Sequence, residues 1–324
     1  MKRPTNKTLL ATAAILLAAA ATGNAFQAAT PPPAGPGRGP GGRGGLAGMS
    51  GVLGPDLKPP AVPADFDGEG IPIYDTRPPA LPPLGDEAIL VFSKTTWFRD
   101  DKSIQSAVEA LKRIANNNGW SVFATENGAV FNADMLKKFK AVVWNNVSGD
   151  VLTPEQREAF KSYIENGGGF VGVHGSEGDP KYAWKWYAET LIGAQFRVHS
   201  SIVPGTIRIE DLNDPATHGL PQKWTRTDEW YAFTENPRPK GVHVLVTVDE
   251  KTYSTMSGRG ENASMGADHP VVWKHCVGKG RSFVNAMGHS ASVYNEPLYL
   301  QMLQGSISWA MGLEGEGCPA TVAR

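Results

Sequence analysis

Between Glu87 and Val173, short apolar runs alternate with helical spacing, and this alternation leaves few folds open. The runs are Ala88–Phe92, Trp120–Ala124, Ala141–Trp144 and Phe170–Val173. Each is too short for a buried helix and reads as a strand covered on both faces. Ser103–Asn118 carries Ile104, Val108, Leu111 and Ile114 at helical intervals, and Asn132–Phe139 predicts a second, shorter helix. Thr153, Pro154 and Gln156 stand where an N-cap, N1 and N3 belong, a capping box that starts a third helix running to about Glu165. Strand and helix in alternation predict a three-layer α/β/α arrangement around a mostly parallel sheet. Ligands of such sheets bind outside the carboxyl ends of the strands. The residues to inspect are therefore Ser93–Asp101, Asn145–Asp150 and His174–Asp179.

One strand end stands out. Gly167–Gly169 precede Phe170–Val173, and His174 follows, with Gly172 before it and Gly175 after it. Small residues around a polar side chain at a strand end suit a tight turn that lifts the side chain above the sheet. An imidazole there is competent as a base, an acid or a metal ligand; the plain alternative is a satisfied histidine ending a strand. Past Lys181 the order is less regular. Trp184–Ile192 reads as helical, and Thr206–Glu210, Val242–Val248, Pro270–Lys274 and Arg281–Ala286 read as strands. Pro297–Met311 reads as the last helix.

The amino-terminal part is a different polymer. Met1–Lys7 is basic, Leu9–Ala21 is apolar, and Gly23–Ala25 are small, the pattern of a secretory signal over residues 1–25. The apolar run is shorter than the roughly 20 residues that span a bilayer, so no stable membrane span is expected after cleavage. A periplasmic or secreted protein follows. Residues 26–85 hold fourteen of the 25 prolines and a glycine-rich tract, which predicts a disordered leader without a core of its own. Residues 86–324 then form one α/β domain. The formal net charge of −1 and the lack of a basic cluster exclude nucleic acid as an expected partner. Cys276 and Cys318 are the two cysteines, and export permits a bond between them without requiring it.

His174, His199, His269 and His289 occupy notable local settings, and His289 also follows a strand end. Spread over strand ends, such histidines build either a proton-transfer site or a metal site. Their spacing matches no zinc signature, so no cofactor is assigned and a divalent metal stays open. In Asp228-Glu229-Trp230-Tyr231, two acids adjoin two aromatics, and an acid raised by such surroundings serves as a general acid. Trp97-Phe98-Arg99-Asp100-Asp101 follows the first strand; Arg99 suits an anionic or polyhydroxyl ligand, while the aspartates suit a helix cap.

Together these segments resemble the ThuA-like family, named for trehalose utilisation. The resemblance is carried by Trp97-Phe98-Arg99, Gly149–Leu152, Gly167–His174, Trp186-Tyr187 through Gly193-Ala194, Asp228–Tyr231, His269-Pro270, Gly278–Arg281 and Gly288-His289. Where the family often has Phe-Arg-His and His-Pro, this chain has Phe98-Arg99-Asp100 and His199-Ser200. The resemblance implies a flavodoxin-like, class I glutamine amidotransferase-like fold with His174 where the amidotransferases carry a cysteine. It also implies a small-molecule carbohydrate, including oxidised (keto) sugars, as ligand. The resulting expectation is an exported enzyme with His174, His289, Asp228 and Glu229 as catalytic groups. Arg99, Trp97, Trp230, Tyr231, His199 and His269 would bind substrate. The alternatives are a carbohydrate-binding module without turnover and a metal-dependent sugar hydrolase. The sequence fixes no oligomeric state.

Overall fold

The computed structural model describes residues 74–178 and 184–318. The expected signal segment and most of the expected leader lie outside these residues. The first half follows the alternation closely. Strand β1 (Ala88–Phe92), helix α1 (Asp101–Asn117), β2 (Ser121–Thr125), α2 (Ala133–Leu136), β3 (Ala141–Asn145), α3 (Pro154–Glu165) and β4 (Gly169–Val173) appear in that order. The capping box at Thr153 and Gln156 is formed. The second half has five strands: β5 (Phe196–Ile209), β6 (Lys223–Phe233), β7 (His243–Asp249), β8 (Pro270–Val277) and β9 (Gly280–Asn285). Helix α4 (Pro297–Met311) ends the domain, and Trp186–Ile192 forms a π-helical turn.

Among the described residues nine strands join one sheet in the order β2-β1-β3-β4-β9-β8-β7-β5-β6. The pairs from β2 to β9 are parallel and those from β9 to β6 antiparallel. The expectation of a mostly parallel sheet therefore holds for one half only. Helical crossovers, which parallel pairing requires, stop after β4, and antiparallel neighbours need only short turns.

Period-two alternation sends successive side chains to opposite faces. Ile89, Val91, Val143 and Val171 pack with α1 and α4 on one face. Leu90, Phe92, Val142, Trp144 and Phe170 pack with α2, α3 and the π-helical turn on the other. Burial of both faces explains why these strands read as unbroken apolar runs. Residues 74–85, placed with the leader on composition, dock on this domain. Asp75 accepts hydrogen bonds from Lys94 Nζ (2.7 Å) and Gly128 N (2.8 Å), its carbonyl accepts one from Gln156 Nε2 (2.7 Å), and Leu81 and Leu84 pack on the core. Cys276 and Cys318 form a disulfide that ties the segment after α4 to β8. Among the described residues no helix is long and apolar enough to cross a membrane.

Candidate active site

Four segments meet at the carboxyl end of β4. His174 leaves that strand with φ 46°, a left-handed conformation that non-glycine residues adopt at a cost of about 1–3 kcal/mol. The turn His174–Glu177 continues as a 3-10 helix and Gly175 packs against Asn146, so the ring stands above the sheet edge. From β6 come Glu229 and Tyr231, two residues apart and thus on one face, while Asp228 and Trp230 point to the other. His199 comes from β5, beside a register shift that lies between His199/Tyr231 and Ile202/Glu229. His289 sits four residues past β9.

Glu229 is the hub. Its Oε1 lies 3.0 Å from His199 Nδ1, and its Oε2 lies 3.3 Å from His289 Nδ1 and 3.6 Å from His174 Nε2. His174 Nδ1 is 2.9 Å from the Ala286 carbonyl, which only accepts, so that nitrogen carries the proton. Nε2 faces the Tyr231 hydroxyl at 3.1 Å, and His289 Nδ1 lies at the same distance. Burial alone would raise the Glu229 carboxyl. The imidazoles of His174, His289 and His199 outweigh it and hold the group well below the usual carboxylate range. Burial likewise pulls His289 down, and the hydrogen bond and charge of Glu229 more than offset this, so its pKa rises. The expectation of a carboxylic acid raised by aromatic neighbours is thus reversed for Glu229: the nearest groups are imidazoles. Burial pushes the Tyr231 phenol well above 10, and the charge of Glu229 adds to this, so the hydroxyl stays a donor.

Asp228 does different work. It is fully buried, and both oxygens are taken: Oδ1 accepts from Glu229 N (2.9 Å) and His289 N (3.1 Å), and Oδ2 from Gly288 N (2.9 Å). Arg226 Nη1 lies 2.9 Å from Oδ2. Asp228 therefore pins the Gly288-His289 turn to β6 and has no oxygen to offer a ligand. His269 is fully buried between Glu250 Oε1 (2.8 Å) and the Tyr231 carbonyl (2.8 Å), bracing β6 from behind. Trp230 is a core residue whose Nε1 donates to the Val203 carbonyl. Arg99 is held by Asp101 and Glu126. Trp97 lines a small enclosure with Asn146, Gly175 and Tyr231, next to His174. Of the ten residues singled out from sequence, His174, His199, Glu229, Tyr231 and His289 converge.

Above Glu229, His199 and His289 opens a cavity of ≈270 Å³, whose remaining walls are Phe98, Ile202 and the turn Ser257–Glu261. Sequence reasoning passed over Ile202, Arg259 and Glu261. The one signal available was the pair Gly258 and Gly260, which marks a turn without saying what it faces.

His174, Glu229 and His289 offer three ligand atoms within 4.8 Å of one another. Ligands about 2.1 Å from a tetrahedral ion lie roughly 3.4 Å apart, close to the separations here. Glu229 Oε2 is buried without a well-formed hydrogen bond, and the Ala286 carbonyl behind His174 is the usual outer partner of a ligating imidazole. The set suits a divalent ion. A second group, Asp211, Asp214 and His243, does not, because the Lys274 ammonium already pairs with Asp214.

The model of the ThuA family, described as trehalose utilisation, matches residues 88–310. Two solved structures share the fold. A ThuA-like protein from Bacteroides uniformis is 23% identical, with a TM-score of 0.60 over 72% of this chain and 95% of its own. A ThuA-like protein from Parabacteroides merdae is 19% identical, with a TM-score of 0.54 over 72% and 94%. No curated protein matches the chain.

Proposed function

The chain belongs to the ThuA family, whose theme is carbohydrate utilisation, and on that premise we propose that it is an enzyme moving a proton next to the carbonyl of an oxidised (keto) sugar. The observation that carries this reading is Glu229, a buried carboxylate with three imidazoles within 3.6 Å and one oxygen lacking a good hydrogen bond, at the floor of a cavity. Its Oε2 takes the proton from the carbon beside the carbonyl. The C–H electron pair becomes the C=C bond, the C=O pair moves to oxygen, and that oxygen takes the proton of His289. The resulting enediol returns to a carbonyl at either carbon by the reverse transfers. Tyr231 keeps the His174 ring oriented from one side and the Ala286 carbonyl from the other. A divalent ion on His174, Glu229 and His289 would occupy Oε2 and supply polarisation of the carbonyl oxygen instead of this proton transfer, which is why the test below is run on stripped and on resupplied protein.

The reading includes export, supported by the leader-like residues 1–25 and by the disulfide, which oxidising compartments favour. It also includes a flavodoxin-like, amidotransferase-like ancestry, supported by the parallel order β2-β1-β3-β4 and the histidine at the strand-end turn. The test is proton exchange in heavy water with keto-glycosides, followed by NMR across a pH series, on protein stripped of metal and then resupplied. Glu229→Gln is expected to lose about 100- to 10,000-fold in exchange rate with an unchanged circular dichroism spectrum. Sugar binding with neither exchange nor product under any metal or pH leaves a binding module instead.

A further inference from the structure

Three large apolar side chains are conspicuously exposed among the described residues: Ile202 at 48%, Met256 at 44% and Leu212 at 39%. Two of the three gather at one place. Ile202 forms a wall of the cavity above Glu229, and the Met256 carbonyl accepts from Ser201 N, next in the chain to Ile202. Half-buried Phe98 forms another wall of the same cavity. A proton-transfer floor of carboxylate and imidazoles thus opens outward between two apolar walls, Phe98 and Ile202, and the polar turn Ser257–Glu261. A bare sugar, with a hydroxyl on nearly every carbon, has little to set against such walls.

Arg259 is the second observation. It sits on the tip of the hairpin closed by the Met256–Asn262 bridge, lines the same cavity and is exposed. Its guanidinium has no ion pair or hydrogen bond among the described residues, and so it is free to meet a ligand. An unpaired guanidinium beside apolar walls fits the face of an aromatic ring, which attracts a cation while burying carbon.

We propose that the substrate is a glycoside with an aromatic aglycone: the sugar ring lies over Glu229 and His289, and the aglycone sits between Phe98 and Ile202 under Arg259. The proposal rests on the reading of the floor as a sugar site and adds the chemical class of the other half of the ligand. Cavity size agrees with it. A volume of ≈270 Å³ is at the lower end for small-molecule sites and is filled by one ring, so a second ring extends to the mouth, where Ile202 stands exposed.

The experiment measures binding of phenyl glucoside, methyl glucoside and trehalose, each glucoside as both anomers, by calorimetry with the full chain. Burial of one aromatic ring predicts that phenyl glucoside binds roughly 10- to 100-fold tighter than methyl glucoside. Ile202→Ser, at an exposed position that folding does not need, is expected to erase most of that ratio while methyl glucoside affinity stays within about twofold. Arg259→Gln is expected to reduce phenyl glucoside affinity by roughly 2- to 5-fold. Equal binding of phenyl and methyl glucoside by wild type overturns the proposal and leaves the sugar site standing. So does tighter binding of trehalose than of phenyl glucoside, or an Ile202→Ser protein that keeps the full preference. If no sugar binds, and Glu229→Gln changes no exchange rate, the floor itself has been misread and the aglycone site falls with it.

Discussion

Arg226→Met is expected to be among the most destabilising single changes that leave the apolar core intact. The Arg226 side chain is 3% exposed and lies beside Asp228 Oδ2, with Nε 3.2 Å from Glu296 Oε2 and the guanidinium 4.9 Å from the centre of the Tyr299 ring. Methionine keeps the stem and the contact with Tyr299 but leaves the Asp228 carboxylate without a countercharge. Breaking one side of a buried pair costs about 3–5 kcal/mol. Three backbone amides still donate to Asp228, so the lower figure, about 3 kcal/mol, is expected. At about 3 kcal/mol per molar urea for a domain of this size, the midpoint falls by roughly 1 M. Asp228→Asn is costly for another reason. Both oxygens accept from backbone N–H groups, so the amide nitrogen faces a donor in either orientation. In the double variant no carboxylate remains to be stranded, and the loss is expected to fall short of the sum of the singles by at least about 1 kcal/mol. Urea titrations followed by tryptophan fluorescence measure all three. A loss under about 1 kcal/mol for Arg226→Met, or strict additivity, would refute the argument that this pair is what keeps a charge buried beneath the site.

Three further outcomes follow from buried polar groups and the disulfide. Glu250 is raised by burial but pulled further down, to about 2, by His269, Ser264 and the Met265 amide. Its stabilising contribution is present above the ordinary carboxyl value of 4.5 and lost as pH falls toward 2, so Glu250→Gln should flatten the melting temperature across that window. Burial drives Glu177 the other way, well above 4.5, and neither oxygen has a hydrogen-bond partner among the described residues. The folded state therefore binds that proton more tightly than the unfolded chain and loses stability as pH rises from 4.5 through the folded value. Glu177→Gln should remove this loss, and a melting temperature that still declines identically would disprove it. Cys276→Ser opens a 42-residue separation, for which loop-closure entropy predicts a loss of about 4 kcal/mol, readable as a fall in melting temperature under non-reducing conditions.

What the sequence disclosed depended on whether local pattern and tertiary role agreed. Strand β1, the capping box of α3 and the whole of α4 are visible from apolar spacing and caps alone. Strand β6 is not, because Arg226, Asp228 and Glu229 break its apolar run, and the partners that make their burial tolerable come from β5, the turn after β9 and the residue that caps α4. His174 announced itself through its glycines, and Glu229 through its aromatic neighbours, although the nearest groups turned out to be imidazoles. His269 had the same outward marks as His289 and serves a backbone carbonyl instead. Ile202 and Arg259 carry no local signature, since what they face is set by a β5 register shift and a hairpin tip.

The fifth of the nine strands across the sheet is β9, the last to be made. Until it emerges, β4 and β8 each present an open edge, and His289 has not yet reached His174. Synthesis of the on the order of 100 residues between β4 and β9 takes roughly 5–20 s at ordinary elongation rates. During that interval the nascent chain consists of two incomplete half-sheets, each a template for unwanted pairing. Insertion of a single six-residue strand then closes both edges and, four residues on, brings His289 up to His174 and Glu229. The convergence of His289 on His174 and the covering of both edges are therefore acquired together, and a chain truncated before Gly280 would have neither.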